Sequence, residues 1–397
     1  MVLEKTKRIA GLAAGHGAVD FYMPVIPAIL PALIPLFYEQ GITSYAMAGC
    51  LFTFATIATV IFQPLSGYLV DNNKRILGTS TTILITAFGI GAFALTQNYW
   101  ILLIFSVIMG IGNAMYHPNA YKQVHQITTS ANRASFLSLI SVGGTFGYGA
   151  APLAAGFLYA WGGFHALLLL LIPGIIIALL LLKLPQRPEM TESESSFEQA
   201  DAAAKPNWKS ASIVLLISSL RTCVYFGFIA FAAEYLTNYA GVEYVLSTAV
   251  VSSMIFAGIF GTLIAGPLSD KIGRKEVMFF AYLFGTAAYS GIFIFSGAAS
   301  VICLAATGFF FMATASVEIA AVQELMPGNV GFASGIVIGI PQGLSAVSVL
   351  FIGIIADVFG MPAALFNLIW LMIAAIVLCA ALPYPLKILR RRRKNSA

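Results

Sequence analysis

Five side chains that can carry charge lie where a soluble protein would place leucine. Asp20 and His16 fall in one apolar run near the start, His117 in another, and Arg221 and Glu318 in two more. A charge near the middle of a bilayer costs at least about 2.5 kcal/mol on insertion scales, so such groups persist where they meet water, a partner or a solute. A carboxylate at Asp20 is suited to taking up and releasing a proton. A guanidinium at Arg221 stays charged and can hold an anionic group with two parallel hydrogen bonds or hold a nearby carboxylate ionised. Asp20 with Arg221 as a permanent ion pair is the structural alternative. His16 lies one helical turn from Asp20, on the same face. His117 and Glu318 could relay a proton or touch a solute, or His117 could satisfy a carbonyl freed by Pro118. Glu39, Glu234 and Glu243 fall near helix ends, where water can solvate them, and read as rim residues.

The elements that must position these groups are spanning helices. Of 397 residues, 59% are hydrophobic and 9% charged, against roughly 25% charged in soluble domains. Apolar runs of about 20 residues, the length needed to cross a bilayer, recur at 8–37, 44–70, 76–96, 99–121, 134–160, 165–184, 210–236, 246–270, 276–296, 299–325, 331–357 and 363–384. Runs such as 167–182 are apolar on every side and lack the alternation of a membrane β-strand. The expectation is an all-α integral membrane protein of twelve spans, its first segment a retained helix rather than a signal peptide. Pro24, Pro27, Pro31 and Pro35 predict a kinked outer half of the first span. Cys50, Cys223, Cys303 and Cys379 show no paired spacing, so neither disulfides nor a metal site is expected.

All but Arg221 of the 21 Lys and Arg residues fall in the termini or in every second connection. Basic residues flanking spans stay cytoplasmic, so both termini are expected in the cytoplasm of a cell whose cytoplasmic or inner membrane holds the protein. The basic tail 390–394 fits that orientation and contact with anionic lipid rather than nucleic acid.

The chain repeats at an offset of 199 residues, which places Gly67 on Gly266, Asp71 on Asp270, Arg75 on Arg274 and Gly144 on Gly343. Two parallel six-helix repeats around a central cavity follow: residues 1–185, an acidic and Ser-rich cytoplasmic linker at 186–209, and residues 210–397.

These residues resemble the Major Facilitator Superfamily. Gly266, Asp270, Gly273 and Arg274 match its cytoplasmic gate motif, and Gly67, Asp71 and Arg75 form a first copy in which Lys74 stands where the motif has glycine. Within that superfamily the chain is similar to the fosmidomycin-resistance family of drug exporters, through His16-Gly17 with Asp20, the segment 110–118, Arg221 with Tyr225, and 323–327; Glu234 departs from that pattern. Span five, with Gly143, Gly147, Pro152 and Gly156, looks like the Gly/Pro motif of drug antiporters, with Ala151 replacing a glycine.

The resemblance implies a monomeric, proton-coupled exporter of a small amphipathic or anionic compound, working by alternating access in a lipid bilayer. An uptake symporter for an organic anion is the nearest competitor, followed by a non-transporting sensor or a lipid-handling protein. No Walker loop, dinucleotide fingerprint or catalytic metal motif occurs, so no cofactor and no catalytic residue are expected.

Overall fold

In the computed structural model, residues 2–71, 77–127, 130–183, 206–326 and 330–384 are described, and among them every regular element is helical. In chain order these are α1 (Val2–Phe21), α2 (Val25–Glu39), α3 (Tyr45–Asp71), α4 (Thr79–Leu95), α5 (Tyr99–Ile127) and α6 (Ser130–Ala166). After a single 3-10 turn (Leu167–Leu170) come α7 (Leu171–Leu182), α8 (Trp208–Asn238), α9 (Tyr244–Ile272), α10 (Arg274–Ile294) and α11 (Ala298–Leu325). The chain closes with α12 (Val330–Phe359), α13 (Met361–Phe366) and α14 (Ile369–Ala381). Lipid offers the backbone no hydrogen-bond partners, so each crossing segment satisfies its own N–H and C=O groups as a helix.

Among the described residues, ten helical stretches are long and apolar enough to cross a membrane. One of them, Leu139–Leu182, has 44 residues, about twice the length one crossing needs, and is broken where Gly162 (φ −148°, ψ 22°) and Gly163 (φ 63°, ψ −157°) leave helical geometry, the second at a positive φ that glycine tolerates. That stretch therefore crosses twice, and the shorter apolar helix Thr79–Leu95 supplies a further crossing. Twelve spans result, as the apolar runs indicate.

The proline-rich first span bends in a narrower place than its spacing suggests. Helical geometry stops at Phe21 and resumes at Val25, with Pro24 as the residue that opens α2, while Pro31 and Pro35 sit inside that helix without ending it. One missing N–H at Pro24 starts the new helix, and Ala28 N–H already donates to the Pro24 carbonyl at 3.2 Å.

Two compact units are present. The first holds Met1–Glu194, Ile229–Ser252 and Val349–Asp357; the second holds Ser195–Phe228, Ser253–Ser348 and Val358–Ala397. Small residues set helix spacing inside both. A Cβ built on Gly110 of α5 would stand 2.1 Å from the Ala55 carbonyl oxygen of α3, and one on Gly308 of α11 would stand 1.9 Å from that of Met254 on α9. Ala55 and Met254 are 199 residues apart, so the repeat is visible in packing as well as in charge. With side chains forbidden at these crossings, backbones touch directly, which is how helices associate where no hydrophobic drive exists.

Residues 186–205 of the expected linker and the tail 390–394 lie outside the described residues; the linker's last two residues, Trp208 and Lys209, already belong to α8.

Candidate functional site

In the first unit, α1 and α5 bring Asp20, His16, His117 and Asn113 together. Asp20 Oδ2 lies 3.1 Å from His16 Nε2, and Asp20 Oδ1 lies 3.5 Å from His117 Nε2. Asn113 Nδ2 donates to Asp20 Oδ1 at 3.2 Å and to the Val19 carbonyl at 3.3 Å, while its Oδ1 lies 3.3 Å from His117 Nε2. His16 is fixed from behind by the Ile140 carbonyl, 2.8 Å from its Nδ1. One histidine ring stands edge-on to the other, with centroids 4.8 Å apart. His16 Nε2, a carboxylate oxygen of Asp20 and His117 Nε2 converge within 4.8 Å of one another. The spacings are those of hydrogen bonds.

The helix facing this cluster is α6. A Cβ on Gly144 would lie 2.6 Å from His16 Cε1 and 2.7 Å from both His16 Nε2 and Asp20 Oδ2. On either side, a Cβ on Gly143 would meet the Ala13 carbonyl oxygen at 2.3 Å, and one on Gly147 the Gly17 carbonyl oxygen at 1.9 Å. The Gly/Pro segment of span five is thus the surface on which α1 lies. Gly156, further along, faces Thr248 of α9, and Pro152 sits inside α6 without ending it.

In the second unit, Arg221 of α8 pairs with Glu318 of α11. Its Nε donates to Oε1 at 3.3 Å and its Nη2 to Oε2 at 3.2 Å. Glu318 also accepts from Thr314 Oγ1 at 2.9 Å and from the Tyr282 hydroxyl. Both charged residues are buried, Glu318 at 1% exposure. The Asp20–Arg221 pair weighed from sequence gives way to two separate clusters. The suggested relay between His117 and Glu318 likewise divides, because each turns to a partner within its own unit. Depth and charge sign alone do not select a partner; the helix faces do.

The second-half gate motif closes on itself. Arg274 Nη2 lies 2.6 Å from Asp270 Oδ1 and 3.1 Å from Glu324 Oε1, and Nη1 donates to Ser269 Oγ at 2.5 Å. Gly273 joins α9 to α10 at φ 122°, a conformation that explains glycine there. Glu324, which also accepts from the Tyr384 hydroxyl, was visible in the sequence only as part of the 323–327 segment. Gly266 faces Ser316, and in the first copy Gly67 faces Pro118. The first copy otherwise ends in α3 at Asp71; Arg75 and Lys74 lie outside the described residues, as does the side chain of Asp71.

At the opposite end of the first unit a contact appears that the sequence reading missed. Asp357, at the end of α12, accepts from Ser44 Oγ at 2.5 Å, from Tyr45 N–H at 2.5 Å and from Ala46 N–H at 3.3 Å. It caps the first turn of α3 from a helix 312 residues away in sequence. The Tyr45 hydroxyl reaches Glu234 Oε1 at 3.3 Å and the Tyr239 hydroxyl at 2.6 Å. Glu234 is 1% exposed, so the rim reading fails for it: Tyr45 and Asn238 satisfy its oxygens in place of water. Glu39 and Glu243 are exposed as expected; Glu243 accepts from Val245 and Leu246 N–H at the start of α9, which holds its carboxyl below the usual value.

Comparison with known proteins agrees with this architecture. Residues 17–338 and 250–396 match the model of the Major Facilitator Superfamily. The chain is 24% identical to the fosmidomycin resistance protein of Escherichia coli over 84% of its own length and 83% of the relative's. It is 23% identical to sugar efflux transporter A of Dickeya chrysanthemi over 84% and 85%, and 22% identical to the hexuronate transporter of Bacillus subtilis over 82% and 83%. Among solved structures, a bacterial homologue of the human lysosomal transporter Spinster superposes with a TM-score of 0.79 at 17% identity, over 94% of this chain and 95% of that one. A D-xylose-proton symporter superposes at 0.71 with 13% identity, over 96% and 98%. At these identities the structures speak for the fold alone. The twelve apolar crossings, the repeat and the family match together make this chain a multi-pass membrane transporter of the Major Facilitator Superfamily, not an enzyme.

Proposed function

We propose that this transporter is a proton-coupled exporter of a small amphipathic or anionic compound, working as a monomer by alternating access in the cytoplasmic membrane with both termini inside. The observation that carries the reading is the Asp20 cluster: a carboxylate held by two imidazoles and one amide within an apolar helix bundle. Histidine titrates in the physiological range, so this is the place where uptake and release of H⁺ can be tied to conformation. The direct packing of the Gly/Pro segment of α6 on α1 at this cluster supports export.

Arg221 is the natural contact for an anionic head group. Its bonds to Glu318 use Nε and Nη2, so a solute would approach through Nη1. The Arg274–Asp270–Glu324 cluster serves as the inner gate, and the Asp357 cap on α3 as its outer counterpart.

Everted vesicles test the reading. Wild type should accumulate a fosmidomycin-like phosphonate or a related amphipath when the lumen is acid, and Asp20→Asn should fold yet lose pH-driven flux. Wild-type-like flux across a pH gradient by Asp20→Asn removes the proposal. Flux in the opposite sense assigns the protein to uptake.

A further inference from the structure

Hydrogen-bond arithmetic at His16 fixes more than proximity. A carbonyl oxygen only accepts, so the 2.8 Å contact with Ile140 places a hydrogen on His16 Nδ1. In a neutral ring Nε2 would then present a lone pair to Asp20 Oδ2 at 3.1 Å, two acceptors facing one another. A second proton must lie between them. The pair therefore holds one proton more than a neutral imidazole and a carboxylate, and its net charge is zero.

We infer that the transferable proton of this transporter lies between His16 Nε2 and Asp20 Oδ2, and that α6 controls it, with Gly144 and the Ile140 carbonyl as positioning groups. The inference deepens the proton-coupling reading and rests on it for its functional consequence. Release breaks the Nε2–H bond or its Oδ2–H equivalent, leaves the electron pair on the atom that held the proton, and hands H⁺ to water. What remains is an ionised Asp20 facing the lone pair of His16. The repulsion is relieved if the imidazole moves its remaining hydrogen to Nε2, which gives up the bond to Ile140. Losing the proton thus loosens α6 from α1. Protonation and helix contact become one equilibrium because Gly144 brings the α6 backbone against both partners, where a methyl would stand 2.6–2.7 Å from them.

Among the described residues, the other groups around the pair are on α5. His117 lies 3.5 Å from Asp20 Oδ1, the Tyr116 hydroxyl donates to the Leu12 carbonyl, and the Tyr121 ring is 6.3 Å from that of His16. Neither α4 nor α7, the remaining helices packed on α1, carries an ionisable side chain. On α6 the groups that meet the pair are the Gly144 backbone and the Ile140 carbonyl.

The test combines spectroscopy with flux. In nitrogen-labelled full-length protein in lipid nanodiscs, with the four histidines assigned by substitution, His16 should carry a hydrogen on Nδ1 in the loaded form and, once the proton is released, on Nε2 alone. A His16 whose Nδ1 carries no hydrogen in the loaded form overturns the inference. In proteoliposomes, Gly144→Ala should move the pH midpoint of coupled flux toward acid by about one unit, because a methyl separates Nε2 from Oδ2. An unchanged profile in folded Gly144→Ala removes α6 from the role. The expected nitrogen pattern in wild type that shows no proton-driven flux would instead defeat the functional reading and leave the proton's location standing.

Discussion

The two charged clusters occupy matching places in the repeat and hold opposite chemistry. Asp20 shifted by 199 residues falls two positions from Arg221, and His117 so shifted falls two positions from Glu318. In the first unit the acid comes from the first span and its basic partners, His16 and His117, from the first and the fourth. In the second unit the base comes from the first span of the repeat and the acid from the fourth. Asp20 is held by imidazoles, which can gain or lose a proton, whereas Glu318 is held by a guanidinium that stays charged, with Thr314 and Tyr282 also donating to it. On the proposed reading, one fold position serves as a switch in one half and as a fixed strut in the other.

Breaking the strut should give the largest change in stability. Arg221→Met leaves Glu318 buried without its cation and is expected to cost about 3–5 kcal/mol, read as a lowered unfolding transition in detergent. Adding Glu318→Gln should recover most of the loss, since replacing both members of a buried pair is far cheaper than removing one. The switch should respond the other way. Asp20→Asn retains its partners' hydrogen-bond geometry and is expected to cost only about 1 kcal/mol, while proton-driven flux falls to that of empty vesicles. Equal stability losses in Arg221→Met and Asp20→Asn would erase the distinction.

A smaller change in function is expected at the start of α3, where Asp357 caps the helix. Asp357→Ala removes the cap of α3 and should cost about 1 kcal/mol, while raising labelling of an introduced cysteine at Ser44 by an impermeant reagent from outside. Smallest of all is Arg274→Lys, which keeps the charge but loses the forked geometry at a partly exposed cluster. It should change stability by about 0.5 kcal/mol or less, yet alter the rate at which the inner gate opens.

The spans, their number and the ionisable residues His16, Arg221 and Glu318 buried within them were legible because lipid imposes a one-dimensional rule: a long run with few charges. The repeat was legible for the same reason, since Asp71/Asp270 and Arg75/Arg274 stand out in a chain with few charges. The kink in the first span was half legible. Four prolines announced a bend, but only the chain's path chose Pro24 over Pro31 and Pro35. Glu234 was misread because nearness to a helix end says nothing about which neighbour covers that end; Tyr45 does so here from a different helix.

By itself, the sequence determined a helical membrane protein, its twelve crossings and the small set of groups able to carry charge across them. Tertiary structure decided the partners. Asp20 meets His16 and His117 rather than Arg221, and Asp357 caps a helix that begins more than three hundred residues earlier. Apolarity is a property of each segment and can be summed along the chain, whereas a hydrogen bond depends on the rotation of one helix face against another, which the glycines at their crossings set in three dimensions.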